Sequence, residues 1–342
     1  MDTHAAIDVF CHCLPPAYCD AANRAAVRPL TMFARAQSIP IMVNLDERLR
    51  MMEQFDGYQQ IPSLASPPLE VIAGPDATPE LARIANDALA RMVADDPEHF
   101  PSFVASLPLN APDAALVEME RAVNELGAAG VQMFTSIDGR PLDEPEFLAI
   151  IERTAALHRA VWLHPTRPMT VPDYADEPYS KYDLWWALGW PYESSVAMGR
   201  LVFAGLFDRC PDLPVITHHV GAMIPMMEGR LDAGLGLLGT RTPPEFAAAI
   251  ETPLQQRPVE AFRRFCADTA SFGSRITIEC GLKFFGADRV MFGTDMPFDP
   301  EQGPGFIRST LRILDEMDLS DEDREKILNG NARRLLRLTS CS

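Results

Sequence analysis

Short runs of β-forming residues alternate with helical patterns along most of this chain, and this alternation limits the possible folds more than any other feature. Eight such runs occur, at 6–11, 58–64, 102–107, 130–134, 160–164, 213–217, 264–269 and 289–292. Helical patterns with one apolar face lie between several of them, for example at 78–92 and 116–126. A strand–helix repeat of this kind is typical of a parallel sheet. Eight strands in 342 residues predict an α/β fold built as a (β/α)8 TIM barrel.

Three long segments fall outside the strand–helix alternation. They lie near 14–57, 166–190 and 231–258. Segments of that length in a compact domain usually form lids or binding surfaces. We therefore expect one barrel domain over residues 1–342, with these three segments as insertions.

The charge of the chain limits its partners. Thirty Lys and Arg residues stand against 48 Asp and Glu residues, for a formal net charge of −18. Such a field repels polyphosphates and anionic lipids, so we expect neither nucleic acid nor a membrane as partner. An anionic small-molecule substrate is still allowed, because a bound divalent cation would reverse the local sign of the potential.

The cellular location follows from what the sequence lacks. No stretch approaches the ~20 apolar residues of a membrane span, and the start of the chain does not resemble a signal peptide. The seven cysteines are an odd number scattered along a long chain, unlike a disulfide framework. A cytoplasmic protein is the natural interpretation.

Histidine and aspartate side chains stand where several predicted strands end. His12 follows the first run, His164 closes the run at 160–164, His218 and His219 follow the run at 213–217, and Asp295 follows the run at 289–292. Parallel barrels build their catalytic sites from the carboxyl ends of their strands. Imidazole and carboxylate groups from separate strands that converge on one cation form a typical catalytic metal site. The sequence therefore predicts a metal centre at the mouth of the barrel.

Strand alternation refines this prediction. Phe10 and His12 should share one face of the first strand, and the sulfurs of Cys11 and Cys13 the other, so the Cys-His-Cys triplet is not expected to bind zinc. His218 and His219 should point in opposite directions, so one of them should line the site and the other should pack outward or lie above the rim. Aromatic residues that follow His164 are expected to form a substrate wall; they include Trp186 and Trp190.

Five sequence segments together resemble the amidohydrolase-related family 2. They are Ile7 to Pro15, Gly130 to Gln132, Leu163 to Pro165, Thr217 to Gly221 and Phe292 to Pro297. That family includes aminocarboxymuconate semialdehyde decarboxylase and the resorcylate-type decarboxylases. The similarity runs nearly end to end and implies a distorted barrel of the metal-dependent hydrolase type. It also implies one divalent metal ion, Zn²⁺ in most members and Mn²⁺ in some.

The resemblance also implies roles for particular residues. By position, His12, His164 and Asp295 correspond to metal ligands, and Asp295 is also counted among the catalytic residues. His219 matches the catalytic histidine because it precedes Pro225 by the usual interval, and His218 is the second choice. The substrate pocket is expected to include Phe10, His218, Trp186, Trp190 and Phe298. One departure stands out: the family carries His or Glu at the position of Phe10, and phenylalanine cannot bind a metal.

Several functions remain open at this stage. The leading one is a metal-dependent decarboxylase of a small aromatic or unsaturated carboxylic acid, acting as a homodimer or higher homo-oligomer. A metal-dependent hydrolase or hydratase of a ring or carbon–nitrogen bond is the close alternative, since one barrel serves many reactions. A binding protein that has lost its metal with the histidine at position 10 is the third, although it would have no chemical reason to keep His164, His219 and Asp295.

Overall fold

Parallel strands form the centre of the molecule in the computed structural model, which describes residues 5–249, 254 and 256–338. Seven strands correspond to the first seven predicted runs, and the segment at the eighth run, 289–292, closes the ring. The seven are β1 (Ala6–Cys13), β2 (Tyr58–Leu64), β3 (Val104–Ser106), β4 (Gly130–Phe134), β7 (Ala160–His164), β8 (Val215–Thr217) and β9 (Cys266–Ala267). Two further short strands, β5 (Ser136–Ile137) and β6 (Arg140–Pro141), form an antiparallel hairpin after β4.

The strands pair in chain order. β1 pairs with β2, and a second sheet has the order β3-β4-β7-β8-β9, with every pair in these two sheets parallel. No ladder joins β2 to β3 within the described part of the chain. Instead the amide of Gln60 donates to the carbonyl of His99, 2.9 Å away, in the segment that leads into β3. This gap is one source of the distortion of the barrel.

The last predicted run closes the barrel as an extended segment rather than a regular strand. Val290 forms a single parallel bridge with Ala267 of β9. On its other side the amide of Val9 donates to the carbonyl of Phe292 at 2.9 Å, and the amide of Asp295 donates to the carbonyl of Phe10 at 2.8 Å. The segment therefore joins β9 to β1, and the predicted distorted (β/α)8 barrel is confirmed.

Helices occupy most of the remaining chain. They are α1 (Pro16–Ala25), α2 (Thr31–Gln37), α3 (Pro40–Val43), α4 (Leu45–Met52), α5 (Leu69–Ile72), α6 (Thr78–Asp95), α7 (Pro112–Asn124), α8 (Pro145–Ala156), α9 (Leu184–Ala187), α10 (Gly189–Phe203), α11 (Leu206–Arg209), α12 (Glu228–Leu235), α13 (Pro258–Phe262), α14 (Arg275–Phe285), α15 (Pro304–Glu316), α16 (Asp321–Glu325) and α17 (Asn331–Leu335). Short 3-10 turns lie at Pro225–Met227, Pro244–Ala249 and Ala287–Arg289, and a π-helical turn at Lys326–Gly330.

Proline marks the start of many of these helices. Seven of them, α1, α3, α6, α7, α8, α13 and α15, carry proline in the first or second position. The first turn of a helix tolerates proline because its amide has no partner there in any case. This is how 30 prolines are accommodated in a fold rich in helices.

The three long segments contain more helix than strand. The segment 14–57 folds into α1 to α4, and 166–190 is mostly irregular apart from α9. The segment 231–258 contains part of α12 and a 3-10 turn, and its residues 250–253 and 255 lie outside the described residues, as does Cys341. Among the described helices, none is long and apolar enough to cross a membrane. The division into one domain with three insertions stays a prediction.

A plug of buried side chains fills the barrel beneath its mouth. Val9, Val104, Trp162, Ile216 and Met291, from five different strand positions, belong to one buried cluster. The indole N–H of Trp162 donates to the carbonyl of Val9 across 2.7 Å. The barrel is therefore closed below, and the side chains at the carboxyl ends of the strands face the open side.

Candidate metal and active site

His12 presents one nitrogen to the mouth of the barrel because its other nitrogen is held. Its Nδ1 lies 3.1 Å from the hydroxyl of Ser63 on β2, and that hydroxyl donates to the carbonyl of Cys11 at 3.2 Å. Since the Ser63 proton is used there, the hydroxyl accepts from Nδ1–H. The lone pair of His12 is then on Nε2, which lies 3.2 Å from Asp295 Oδ1.

His164 is fixed in the same way at the end of β7. Its Nδ1 lies 2.7 Å from the carbonyl oxygen of Pro165, which can only accept, so the proton is on Nδ1 and the lone pair on Nε2. The side chain is buried, and burial lowers its pKa well below the usual value, with the neighbouring His12 and His218 acting in the same direction. A neutral imidazole with a fixed tautomer is the form that binds metal ions.

Asp295 stands at the centre of the cluster. The backbone there has a φ of 62°, a left-handed conformation. The hydrogen bond that the Asp295 amide donates to the carbonyl of Phe10 holds this turn in place. Burial opposes ionisation, but the charge of His218 and the close approach of three histidines outweigh it and hold the pKa well below the usual range. Asp295 is thus a buried carboxylate surrounded by imidazoles.

Both histidines of the His218-His219 pair approach Asp295, so neither packs outward, and His219 is the more exposed of the two. His218 Nε2 lies 3.3 Å from Oδ1 of the carboxylate, and His219 Nε2 lies 3.6 Å from Oδ2. The two rings stack with their centroids 3.8 Å apart. The physical reason is that β8 ends at Thr217 and the backbone turns left-handed at His219, with a φ of 56°, so strand alternation no longer applies.

Asp268 is a residue that the sequence reasoning missed. Its carboxylate accepts a hydrogen bond from Nδ1 of His218 and another from the amide of Val220 at 2.8 Å. Burial disfavours the charged form of His218, yet Asp268 and Asp295 outweigh it and raise the pKa of His218 to about 9. The available signal was its position at the end of the seventh strand run, the same signal that identified Asp295.

These donor atoms can hold a metal ion. The ligand atoms of His12, His164 and His218 lie within 4.8 Å of one another, and so do those of His218, His219 and Asp295. Nε2 of His12 and of His218 are buried and have no hydrogen-bond partner among the described residues. The lone pair on Nε2 of His12 faces Oδ1 of Asp295, and these two groups repel one another unless a cation lies between them. The donor set therefore fits a divalent cation bound by imidazole and carboxylate.

Aromatic rings surround the cluster. Phe10 stacks on His218, Phe134 and Trp190 lie against His164 with centroids 5.0 and 5.7 Å away, and Phe298 lies 5.7 Å from His12. Phe272, which the sequence reasoning did not single out, stacks on His219 at 5.6 Å. The half-exposed Phe272 and Phe298 form a rim. The charged centre is therefore bordered by apolar aromatic side chains.

The tryptophans divide between wall and surface. Trp185 packs edge-on against Trp190, with ring centroids 5.7 Å apart. Trp186, which was expected in the pocket, is 38% exposed and makes none of the ring contacts with the cluster histidines in the described part of the chain. Trp190 therefore has a direct place beside the site, whereas a pocket role for Trp186 stays a prediction.

The cysteines next to His12 lie away from the site, as the alternation predicts. Cys11 and Cys13 are buried in the core between the strands and the helices. Burial raises the pKa of the Cys13 thiol to about 11, and that of Cys11 is also well above its usual value, mainly through burial. Neither thiol is a thiolate at neutral pH, and the metal donors are nitrogen and oxygen only.

The fold and the donor set define a metal-dependent barrel enzyme, and comparison with known proteins identifies the family. The family model described as amidohydrolase matches residues 9–338, and the chain belongs to this family. Gamma-resorcylate decarboxylase from Rhizobium sp. is 33% identical over 307 residues, which are 86% of this chain and 87% of that protein. The 2-amino-3-carboxymuconate-6-semialdehyde decarboxylase of Dictyostelium discoideum is 29% identical over 298 residues, 86% of this chain and 76% of that one.

Solved structures agree with the sequence relatives. A 2,6-dihydroxybenzoate decarboxylase from Rhizobium has a TM-score of 0.76 and 27% identity, covering 98% of this chain and 99% of that one. A dihydroxybenzoic acid decarboxylase from Polaromonas sp. JS666 was solved with bound manganese and the inhibitor 2-nitroresorcinol. It has a TM-score of 0.75 and 27% identity, covering 98% of this chain and 97% of that one. The resemblance to this family is confirmed, and these relatives bear out the expected carboxy-lyase class.

Proposed function

We propose that this chain is a metal-dependent decarboxylase of a small aromatic or unsaturated carboxylic acid. The observation that carries the proposal is the convergence of imidazole nitrogens of His12, His164 and His218 on the Asp295 carboxylate at the barrel mouth. The names of the relatives support aromatic acids as the substrate class. The aromatic side chains around the site suit such a ring.

We assign the metal ligands to His12, His164 and Asp295, as the family pattern implies. When bound there, a divalent cation supplies positive charge that stabilises negative charge developing on the substrate. Imidazole ligands suit Zn²⁺, the ion that the sequence favours, whereas the manganese in the Polaromonas relative supports Mn²⁺ as the alternative. The buried shell around the donors excludes bulk water and strengthens these electrostatic effects.

His219 is our first choice for the proton donor. Its side chain is 12% exposed, while that of His218 is fully buried, so His219 has the more open position. In the reaction the bond between the ring carbon and the carboxyl carbon breaks and its electron pair stays on the ring. The same ring carbon takes a proton from Nε2 of His219, and carbon dioxide leaves.

His218 is the second choice, and its partners give it a supporting role in the first scheme. Asp268 holds its Nδ1, so the ring is fixed between two carboxylates. A positively charged His218 next to His219 favours release of a proton from His219, because like charges at stacking distance repel. His219 would then be the proton donor and His218 the positioning residue.

The test is decarboxylation by the purified protein together with its metal content. We expect near-equimolar zinc or manganese by elemental analysis, and carbon dioxide release from at least one member of a panel of hydroxybenzoates and unsaturated carboxylic acids. Incorporation of solvent oxygen into the product without carbon dioxide would instead identify the hydrolase or hydratase alternative. A metal-free protein with full activity would refute the metal mechanism.

Two further expectations remain proposals. The cytoplasmic location is supported by the scattered cysteines, which are unlike a disulfide framework, and light scattering after size-exclusion chromatography tests the expected homo-oligomer. Neither affects the chemistry assigned above.

A further inference from the structure

A small cavity lies beside the histidine cluster and plays no part in the scheme above. Its apolar lining includes Leu64, Leu109 and Phe134, and Glu70 and Gln132 provide polar groups. Its volume of about 10 Å³ is enough for one water molecule or one polar substituent. We call it the Glu70 cavity.

Two polar atoms in the wall of this cavity lack partners. Gln132 donates through Nε2 to the carbonyl of Leu64 at 3.2 Å, which fixes the amide, but its Oε1 is buried and unpartnered among the described residues. Glu70 Oε1 is likewise buried without a partner there. The two residues are only 3% and 5% exposed. Native proteins rarely leave such groups unsatisfied, so an occupant that the chain does not supply is expected.

The Glu70 cavity lies at the carboxyl ends of β2 and β4, because Leu64 and Phe134, the last residues of these strands, line it. Gln132 and Phe134 lie on β4 two residues apart, so they share a face, and the ring of Phe134 contacts that of His164. Phe134 is therefore shared by the wall of the cavity and the surroundings of His164.

The protonation of Glu70 determines what can bind. Burial raises the pKa of this carboxyl to about 8, so the neutral acid is present at neutral pH. It then offers one O–H donor, while Gln132 Oε1 can only accept. An occupant must donate to Gln132 and accept from Glu70. A carboxylate would place oxygen against oxygen at Gln132, and an apolar group would satisfy neither atom.

We propose that the Glu70 cavity is a subsite of the candidate active site that takes a hydroxyl group of the substrate ring. A phenolic hydroxyl has one proton and free lone pairs, which matches the two unpartnered groups. The inference rests on the proposed function, since it assigns to this cavity one substituent of the same aromatic acid. Glu70 and Gln132 would thus determine which hydroxylated acids are accepted.

The test compares monohydroxybenzoates with dihydroxybenzoates as substrates for carbon dioxide release. We expect the wild-type protein to prefer at least one dihydroxybenzoate by about 10-fold or more in kcat/KM over the acid that lacks the second hydroxyl. The variant Gln132→Leu should lose this preference. Gln59→Leu is the matched control, because that glutamine lies on β2 and donates to the carbonyl of Glu98 instead. It should keep the preference.

A second variant keeps the test valid if Gln132→Leu fails to fold. Glu70→Met removes the carboxyl with little change of volume and should also abolish the preference. If both variants fold, by thermal melting, and lower kcat/KM for the two acids equally, the cavity holds water only and the proposal is overturned.

Failure of the proposed function can be told apart from failure of the subsite. If the wild-type protein releases carbon dioxide from no benzoate, calorimetric titration of the metal-loaded protein with phenol and with resorcinol tests the subsite alone. Tighter binding of resorcinol that Gln132→Leu removes would support the subsite. Equal affinity for the two phenols in the wild-type protein would refute it.

Discussion

The ring of Phe10 lies flat on the imidazole of His218, with centroids 3.8 Å apart and planes only 7° from parallel. Phe10 also lies 6.0 Å from the ring of His12 and 6.1 Å from that of His164. The side chain that replaces a family ligand is thus a fully buried wall of the cluster. It excludes water from one side and holds the plane of His218.

Phe10→His is expected to tighten metal binding, because it places a second imidazole on the inward face of β1 and so offers a fourth ligand beside His12, His164 and Asp295. We expect a gain of about 10-fold or more, similar in size to effects of residues that support metal ligands. Competition with a chelator measures it. Phe10→Leu is the control, which removes the ring without adding a donor. Equal affinity in the two variants would show that position 10 does not reach the metal.

His219→Asn is expected to lower turnover by about 100-fold or more while the metal content stays nearly constant, because a proton donor is lost and the proposed ligands are kept. His99→Asn is the control, since this partly exposed histidine pairs with Asp96 far from the site. Steady-state kinetics with elemental analysis checks both. If His218→Asn abolishes activity and His219→Asn does not, the roles of the pair are reversed.

Arg48→Met is expected to destabilise the fold by about 2 kcal/mol, because it leaves buried acceptors without donors. The buried guanidinium donates to Gln60 Oε1 at 2.6 Å and to the carbonyl of His12 at 2.7 Å. Urea unfolding measures the loss, with Arg50→Met on the exposed face of the same helix as control. A loss no greater than that of the control would mean that Arg48 does not support the first strand.

Glu70 is expected to make stability depend on pH. Its folded pKa of about 8 exceeds the ordinary 4.5, so folding increases its affinity for a proton. The stabilising contribution of Glu70 to the free energy of unfolding is complete below about pH 4.5. It is lost as pH rises through 8, by at most about 1.4 kcal/mol per pH unit. Glu70→Gln should remove this slope, whereas Glu80→Gln on an exposed helix face should not. Parallel stability curves for wild type and Glu70→Gln would contradict the raised pKa.

Much of the barrel and part of the site follow from local sequence rules. The eight strand runs appear where the alternation of residue types places them, and the last one is extended although it forms no regular ladder. Phe10 and His12 share a face, and Cys11 and Cys13 pack on the other, because strand side chains alternate with a period of two. His12, His164 and Asp295 could be identified because each ends its own strand run.

The tertiary structure alone decided how the donors meet. His218 and Asp268 lie 50 positions apart and are paired only because β8 and β9 are neighbours. Both members of the His218-His219 pair reach Asp295 because the left-handed turn after Thr217 cancels the alternation that governs a strand. Glu70 on α5 and Gln132 on β4 likewise line one cavity only once the helix that follows β2 has packed beside β4. Local patterns fix which face of a strand a side chain occupies, whereas closure of the barrel decides which side chains face each other.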